Sequence, residues 1–255
     1  MSEYPQNIAT VNHVEPVPRR VRAVLGGEVV VDTTRALYVW EWPGYPQYYI
    51  PVDDVAAGTL VDEGGTGHGR QGVTRTHGVR AGGQVREGAA RVVVEPAVER
   101  LAGTVRFEWK AMDAWYEEDE RVFVHPRNPY TRVDVLRSTR HLRVELDGVL
   151  LAESPAPVLL FETGLPTRYY LNRTELRLEH LVPSDTVTSC PYKGTTSGYW
   201  SAHIGDQVHH DVAWTYDFPL REVLPIGGLA AFYNERVDIT LDGVLLPRPT
   251  THFAR

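Results

Sequence analysis

The 255 residues, 42% hydrophobic and 23% charged, suffice for a well-packed core and fit one long or two average globular domains. A formal net charge of −7 argues against a nucleic-acid surface, which needs clustered basic residues to displace phosphate counterions. The single cysteine, Cys190, excludes an intramolecular disulfide and a Cys-rich zinc site, and no run nears the roughly 18 apolar residues of a membrane span.

Taken in order, residues 1–18 are polar and carry Pro5, Pro16 and Pro18, which predicts a loosely attached arm. The opening Met1-Ser2-Glu3-Tyr4 has no basic region leading into an apolar core, so no signal peptide is expected and the chain reads as cytoplasmic. Val21–Leu25, a Gly26-Gly27 turn and Val29–Asp32 then match Leu142–Leu146, an Asp147-Gly148 turn and Val149–Glu153. Both dipeptides are hairpin signals, because the two turn positions need φ > 0.

The match continues at a constant spacing of 121 residues, as from Gly27 to Gly148: Glu41 with Glu162, Tyr48-Tyr49 with Tyr169-Tyr170, Leu60-Val61 with Leu181-Val182. Later the spacing is 125, pairing Gly103 with Gly228, Phe107 with Phe232 and Asp113 with Asp238. This predicts two copies of one fold, at 19–139 and 140–255. Apolar residues within each copy follow period two or short continuous runs such as Leu37–Trp42 and Val158–Phe161. Each copy is therefore expected to be mainly β, with short helices or turns near Asp53–Ala57, Thr174–Leu178 and Leu220–Val223. The acidic run Glu117–Glu120 reads as a solvated hairpin tip, and Arg137, Arg140 and Arg143, followed by Glu145 and Asp147, as a solvated face.

The copies differ in the middle. The second holds Thr188-Ser189-Cys190-Pro191-Tyr192-Lys193-Gly194 amid Arg168, Tyr169, Tyr170, Trp200, His203, Trp214 and Tyr216. The first has Gly67–Gly72 and Gly78–Gly83 there, with no cysteine or tryptophan. Chemistry, if one copy carries it, is expected in the second, with the first a degenerate scaffold.

Several segments together resemble a known family: Ala114-Trp115-Tyr116-Glu117, His125-Pro126-Arg127-Asn128, Phe161–Tyr170, Cys190-Pro191-Tyr192-Lys193-Gly194, Trp214-Thr215-Tyr216 and Phe232-Tyr233-Asn234. The chain is similar, over roughly residues 20–250, to the tandem form of the uncharacterised domain of unknown function 427, labelled nucleotidyltransferase-like in some collections. The resemblance implies a small β-tent-like (Mss4-like) fold in each copy and no settled activity.

Cys190 reads either as a buried strand-end residue or as a thiolate favoured by Lys193 and local amides. Arg168 and Glu162 flank the Pro166 turn; they read either as an ion pair or, beside Tyr169 and Tyr170, as anchors for an anionic ligand. Trp214 and Tyr216, two apart on a strand, share one face and with Trp200 suggest an aromatic wall. Adjacent His209 and His210 would point to opposite faces of a strand, so no metal is expected. The first expectation is a small-molecule pocket in the second copy lined by Tyr169, Tyr170, Trp200, Trp214 and Tyr216, with Glu162, Arg168 and Lys193 as polar anchors and no cofactor specified. The second is a thiol enzyme, redox or acyl transfer, with Cys190 as nucleophile and His203 as base. The third is a nucleotidyltransferase using Asp53-Asp54.

Overall fold

Period-two patterning is realised as strands spread from Val14 to Leu245. In the computed structural model, residues 9–254 are described, and the chain divides into two units at Pro129–Tyr130. The first contains β1 (Val14–Pro16), β2 (Val21–Leu25), β3 (Glu28–Thr33), β4 (Leu37–Val39), β5 (Gln47–Pro51), β6 (Leu60–Gly69), β7 (Gly72–Ala81), β8 (Gln84–Pro96), β9 (Thr104–Phe107), β10 (Ala114–Glu117) and β11 (Glu120–Val122). The second contains β12 (Val133–Arg137), β13 (Leu142–Leu146), β14 (Val149–Ser154), β15 (Val158–Glu162), β16 (Arg168–Asn172), β17 (Leu181–Ser184), β18 (Ser189–Cys190), β19 (Gly194–Thr195), β20 (Gly198–Ile204), β21 (Gln207–Thr215), β22 (Leu229–Phe232), β23 (Asp238–Leu241) and β24 (Val244–Leu245). Among the described residues no helix is long and apolar enough to cross a membrane.

Strand order is the same in both units. A seven-stranded sheet runs β1-β4-β5-β9-β8-β7-β6 in the first and β12-β15-β16-β22-β21-β20-β17 in the second. A four-stranded sheet runs β11-β10-β2-β3 and β24-β23-β13-β14. Register agrees residue by residue at the sequence spacing: Val14 faces Val39 as Val135 faces Leu160, and isolated bridges join Val31 to Val55 and Ala152 to Leu176. Even the bulges coincide, between Ala23 and Val24 and between Val144 and Glu145. Gly26-Gly27 and Asp147-Gly148 all have positive φ, as the paired-glycine and Asp-Gly signals require.

The structure departs from the sequence reading in three places. β1 is paired to β4 and Val17 is 3% exposed, so 14–17 is part of the sheet; the rest of the expected arm, up to residue 8, lies outside the described residues. β12 pairs with β15, so the second unit begins before Thr139. The spacing of 125 slips by one at the last strand: Ala114 faces Val24, whereas Asp238 already faces Glu145, so Trp115 takes the place of Ile239. The short helices or turns expected from sequence are present as single 3-10 turns at Val52–Asp54 and Arg173–Glu175 and a longer 3-10 segment at Arg221–Ile226.

Two apolar layers form in the second unit because its large sheet is buried on both faces. Leu142, Val144 and Leu146 alternate inward from β13 and meet Tyr169, Leu171, Ala213 and Phe232 between the sheets. Leu160, Tyr170, Tyr199, Trp214 and Ala231 pack on the opposite side, covered by Val223 and Ile226. The acidic tip is solvated only in part. Glu118 and Glu120 are exposed, but Glu117 is 5% exposed and accepts from Tyr38 Oη (3.1 Å), Tyr48 Oη (2.6 Å) and Arg19 Nη1 (2.5 Å). Glu117 turns inward because it shares the inward face of β10 with Trp115.

Candidate functional site

The same stretch of chain is used differently in the two units. In the first it extends β6, β7 and β8 into a ribbon of strands of 10, 10 and 13 residues. In the second the strands are shorter, and a separate hairpin, β18–β19, is built between β17 and β20. Cys190 stands opposite Gly194, whose φ of +92° closes the turn. Thr188 and Thr196 brace its base through paired backbone and hydroxyl contacts of 2.9 Å. Leu220 N–H donates to the Lys193 carbonyl at 3.1 Å, tying the turn to the segment that covers the sheet.

This hairpin folds Lys193 inward. The residue is 8% exposed; Nζ donates to Glu162 at the end of β15 and lies 3.7 Å from Cys190 Sγ. Burial works against the ammonium, but the negative charges of Cys190 and Glu162 outweigh it, and Lys193 is held well above the usual lysine range. Cys190 itself is half-buried. Tyr170 and Tyr216 stand behind the pair. Burial pushes the Tyr170 phenol up to about 12 against the opposing charge of Lys193, and Trp214 Nε1 donates to it at 3.2 Å. Burial, then the charge of Cys190, push Tyr216 far higher, so both phenols remain protonated at neutral pH.

Of the residues singled out by sequence, Cys190, Lys193 and Glu162 come together, with Tyr170, Trp214 and Tyr216 beneath them. The others do not join them. Arg168 pairs with Glu235 rather than Glu162, through Nη1–Oε2 (2.6 Å) and Nη2–Oε1 (2.8 Å), and also donates to Asn234 (3.1 Å). Its guanidinium lies between the rings of Trp214, Tyr233 and Phe253, 5.5–5.7 Å from each centroid. These contacts engage Arg168 within the protein, which removes the basis for a free ligand anchor. Tyr169 faces the opposite layer because neighbours on a strand alternate; Trp200 packs against that layer too, with Arg173 over its ring. His203 is exposed near the tip of β20–β21, and the described hydrogen bonds of Cys190 do not include it, which withdraws it as the base. The aromatic wall is packed: Tyr170, Trp214 and Tyr216 are 0%, 6% and 5% exposed, closed over by Val223 and Ile226.

The first copy retains the position of Glu162 as Glu41, with different partners. Tyr49 Oη donates to Glu41 at 2.9 Å, and Arg106, from the place of Ala231 on β9, pairs with it at 3.0 Å. A guanidinium fixed on a strand thus replaces the lysine and thiol of the inserted hairpin. Asp54 accepts from Thr33 Oγ1 (2.6 Å) and is bound by Arg35, which holds its carboxyl low. It is therefore no free phosphate-site carboxylate. Among the described residues no three His, Cys, Asp or Glu side chains group so as to hold a metal ion.

A family model described as Domain of unknown function (DUF427), short name NTP_transf_9, matches residues 13–118 and 134–243. No curated protein matches the chain.

Proposed function

The chain belongs to the DUF427 family, and we propose that its second copy is a thiol-dependent site that reacts with a small electrophilic molecule through Cys190, the first copy serving as scaffold. The observation that carries this reading is the half-buried Cys190 with Lys193 Nζ 3.7 Å from its sulfur. The ammonium is the donor that faces the sulfur, and burial of Lys193 keeps water from screening the contact. Glu162 holds the ammonium in place. The filled aromatic layer favours this reading over a ligand lodged passively among the rings, since Tyr170, Trp214 and Tyr216 act as a floor.

Acyl transfer is the chemistry that closes here without a further reagent. The sulfur of Cys190 attacks an acyl carbon and a C–S bond forms. The bond to the leaving group breaks, and that group departs with the electron pair and takes a proton from solvent. Water then cleaves the thioester and restores the thiol. The net charge of −7 supports a small-molecule partner over nucleic acid or a membrane surface, and a reducing cytoplasm would keep the lone thiol free.

Alkylation tests the reading, because every thiol event reports Cys190. A reference thiol is only a few per cent thiolate at pH 7, so native protein is expected to react with iodoacetamide about tenfold faster than glutathione. The adduct should map to Cys190 and be absent in Cys190→Ser. Labelling that waits for unfolding in denaturant would refute the proposal.

A further inference from the structure

The same contact carries a second chemistry. We propose that Cys190 and Lys193 are joined by a reversible N–O–S crosslink when the protein meets a peroxide. Cys190 is only half-buried, Nζ is 3.7 Å from Sγ, and no other cysteine exists to form an intramolecular disulfide with an oxidised Cys190. The nearest nucleophile the hairpin offers an oxidised sulfur is therefore an amine. One bridging oxygen spans the gap after a small movement of the flexible lysine stem.

The steps balance. The sulfur attacks hydrogen peroxide; an S–O bond forms, the O–O bond breaks, hydroxide leaves, and sulfenic acid results. Lys193 Nζ, which donates to Glu162, sheds its proton to solvent before it reacts. The amine attacks a second peroxide: the N–O bond forms, the second O–O bond breaks and one water leaves, giving a hydroxylamine. Its oxygen then attacks the sulfenic sulfur: the O–S bond forms and the sulfenic oxygen leaves as a second water. The product gains one oxygen and loses two hydrogens, about 14 Da. The crosslink consumes both the nucleophile and its cation, so it would switch off the reaction proposed above until reduced. It rests on that reading only in needing an accessible Cys190.

The experiment uses reduced full-length protein treated with hydrogen peroxide, digested with trypsin and analysed by mass spectrometry. The peptide spanning Cys190 and Lys193 is expected to gain about 14 Da and to lose cleavage after Lys193, and dithiothreitol should reverse both changes. Lys193→Arg should give only the gains of about 16 or 32 Da of the simple sulfur acids. Wild-type protein that shows those gains while trypsin still cleaves after Lys193 would overturn the crosslink. Rapid iodoacetamide labelling alongside that result would leave the reactive-thiol reading standing; absence of both labelling and oxidation would remove the two together.

Discussion

Arg168→Ala is expected to destabilise the second unit by about 3–5 kcal/mol, the cost of removing one partner from a buried ion pair. Glu235, its side chain 0% exposed, would keep the hydroxyl of Thr251 (2.5 Å) but lose both guanidinium bonds and the opposite charge. At roughly 2–4 °C per kcal/mol the melting point should fall by about 10 °C. The effect has a pH signature. Burial alone would raise the Glu235 carboxyl, yet the hydrogen bonds and charge of Arg168 hold it below its ordinary value. The stabilisation from the pair is thus present above the ordinary carboxylate range and is lost as pH falls through the depressed folded value. In the variant the stranded carboxylate can instead take up a proton, so the gap between variant and wild type should narrow on acidification. A gap that widens, or a loss below about 1 kcal/mol, would show the pair to be inessential.

Glu117→Leu should cost the first unit about 2–4 kcal/mol, because two buried phenols lose their acceptor at once. Tyr38 and Tyr48 both donate to Glu117, and Trp109 stacks on Tyr48 while Trp115 packs tilted against it. Leu241 occupies the matching place in the second unit, opposite Leu142, where no second tyrosine stands at the position of Tyr38. A leucine is compatible with that place only with apolar neighbours. Glu117→Gln, which keeps an acceptor, should lose less than half as much. Hydrogen exchange read peptide by peptide separates the two units; the loss should appear in the strands around β10 and leave β12–β24 unchanged. Equal protection in Glu117→Leu and wild type would contradict the account.

The repeat was legible because its evidence is local: Gly26-Gly27 and Asp147-Gly148 announce their turns, and a spacing of 121 holds wherever no residue is inserted. The slip at Ala114 has no such signal, because the connection from Phe107 to Ala114 is one residue longer than that from Phe232 to Asp238 and no turn motif marks the extra residue. Lys193 beside Cys190 was visible as a short spacing in a turn; its bond to Glu162 follows from sheet order, which sequence separation hides. Arg168 and Glu235 lie 67 positions apart and meet only once β16 and the segment after β22 are neighbours. Thr251 and Phe253 complete that cluster from the irregular C-terminal segment, where no periodicity operates. The inward turn of Glu117 did have a signal, since it alternates with Trp115, but the charges that follow it dominate the reading.

The claim at the centre is that Lys193 makes Cys190 a nucleophile, and opposite substitutions in its charge network test it most directly. Iodoacetamide rates at pH 7 are measured for wild type, Lys193→Met, Glu162→Gln and the double variant, which leaves no unpaired charge in the site if a single variant fails to fold. Lys193→Met and the double variant should be slower by about tenfold, having lost the cation beside the sulfur, while Glu162→Gln, which removes the competing anion, should react at least as fast as wild type. Rates unaffected by loss of Lys193, or lowered equally by both single changes, would mean that the contact at 3.7 Å does not activate the thiol.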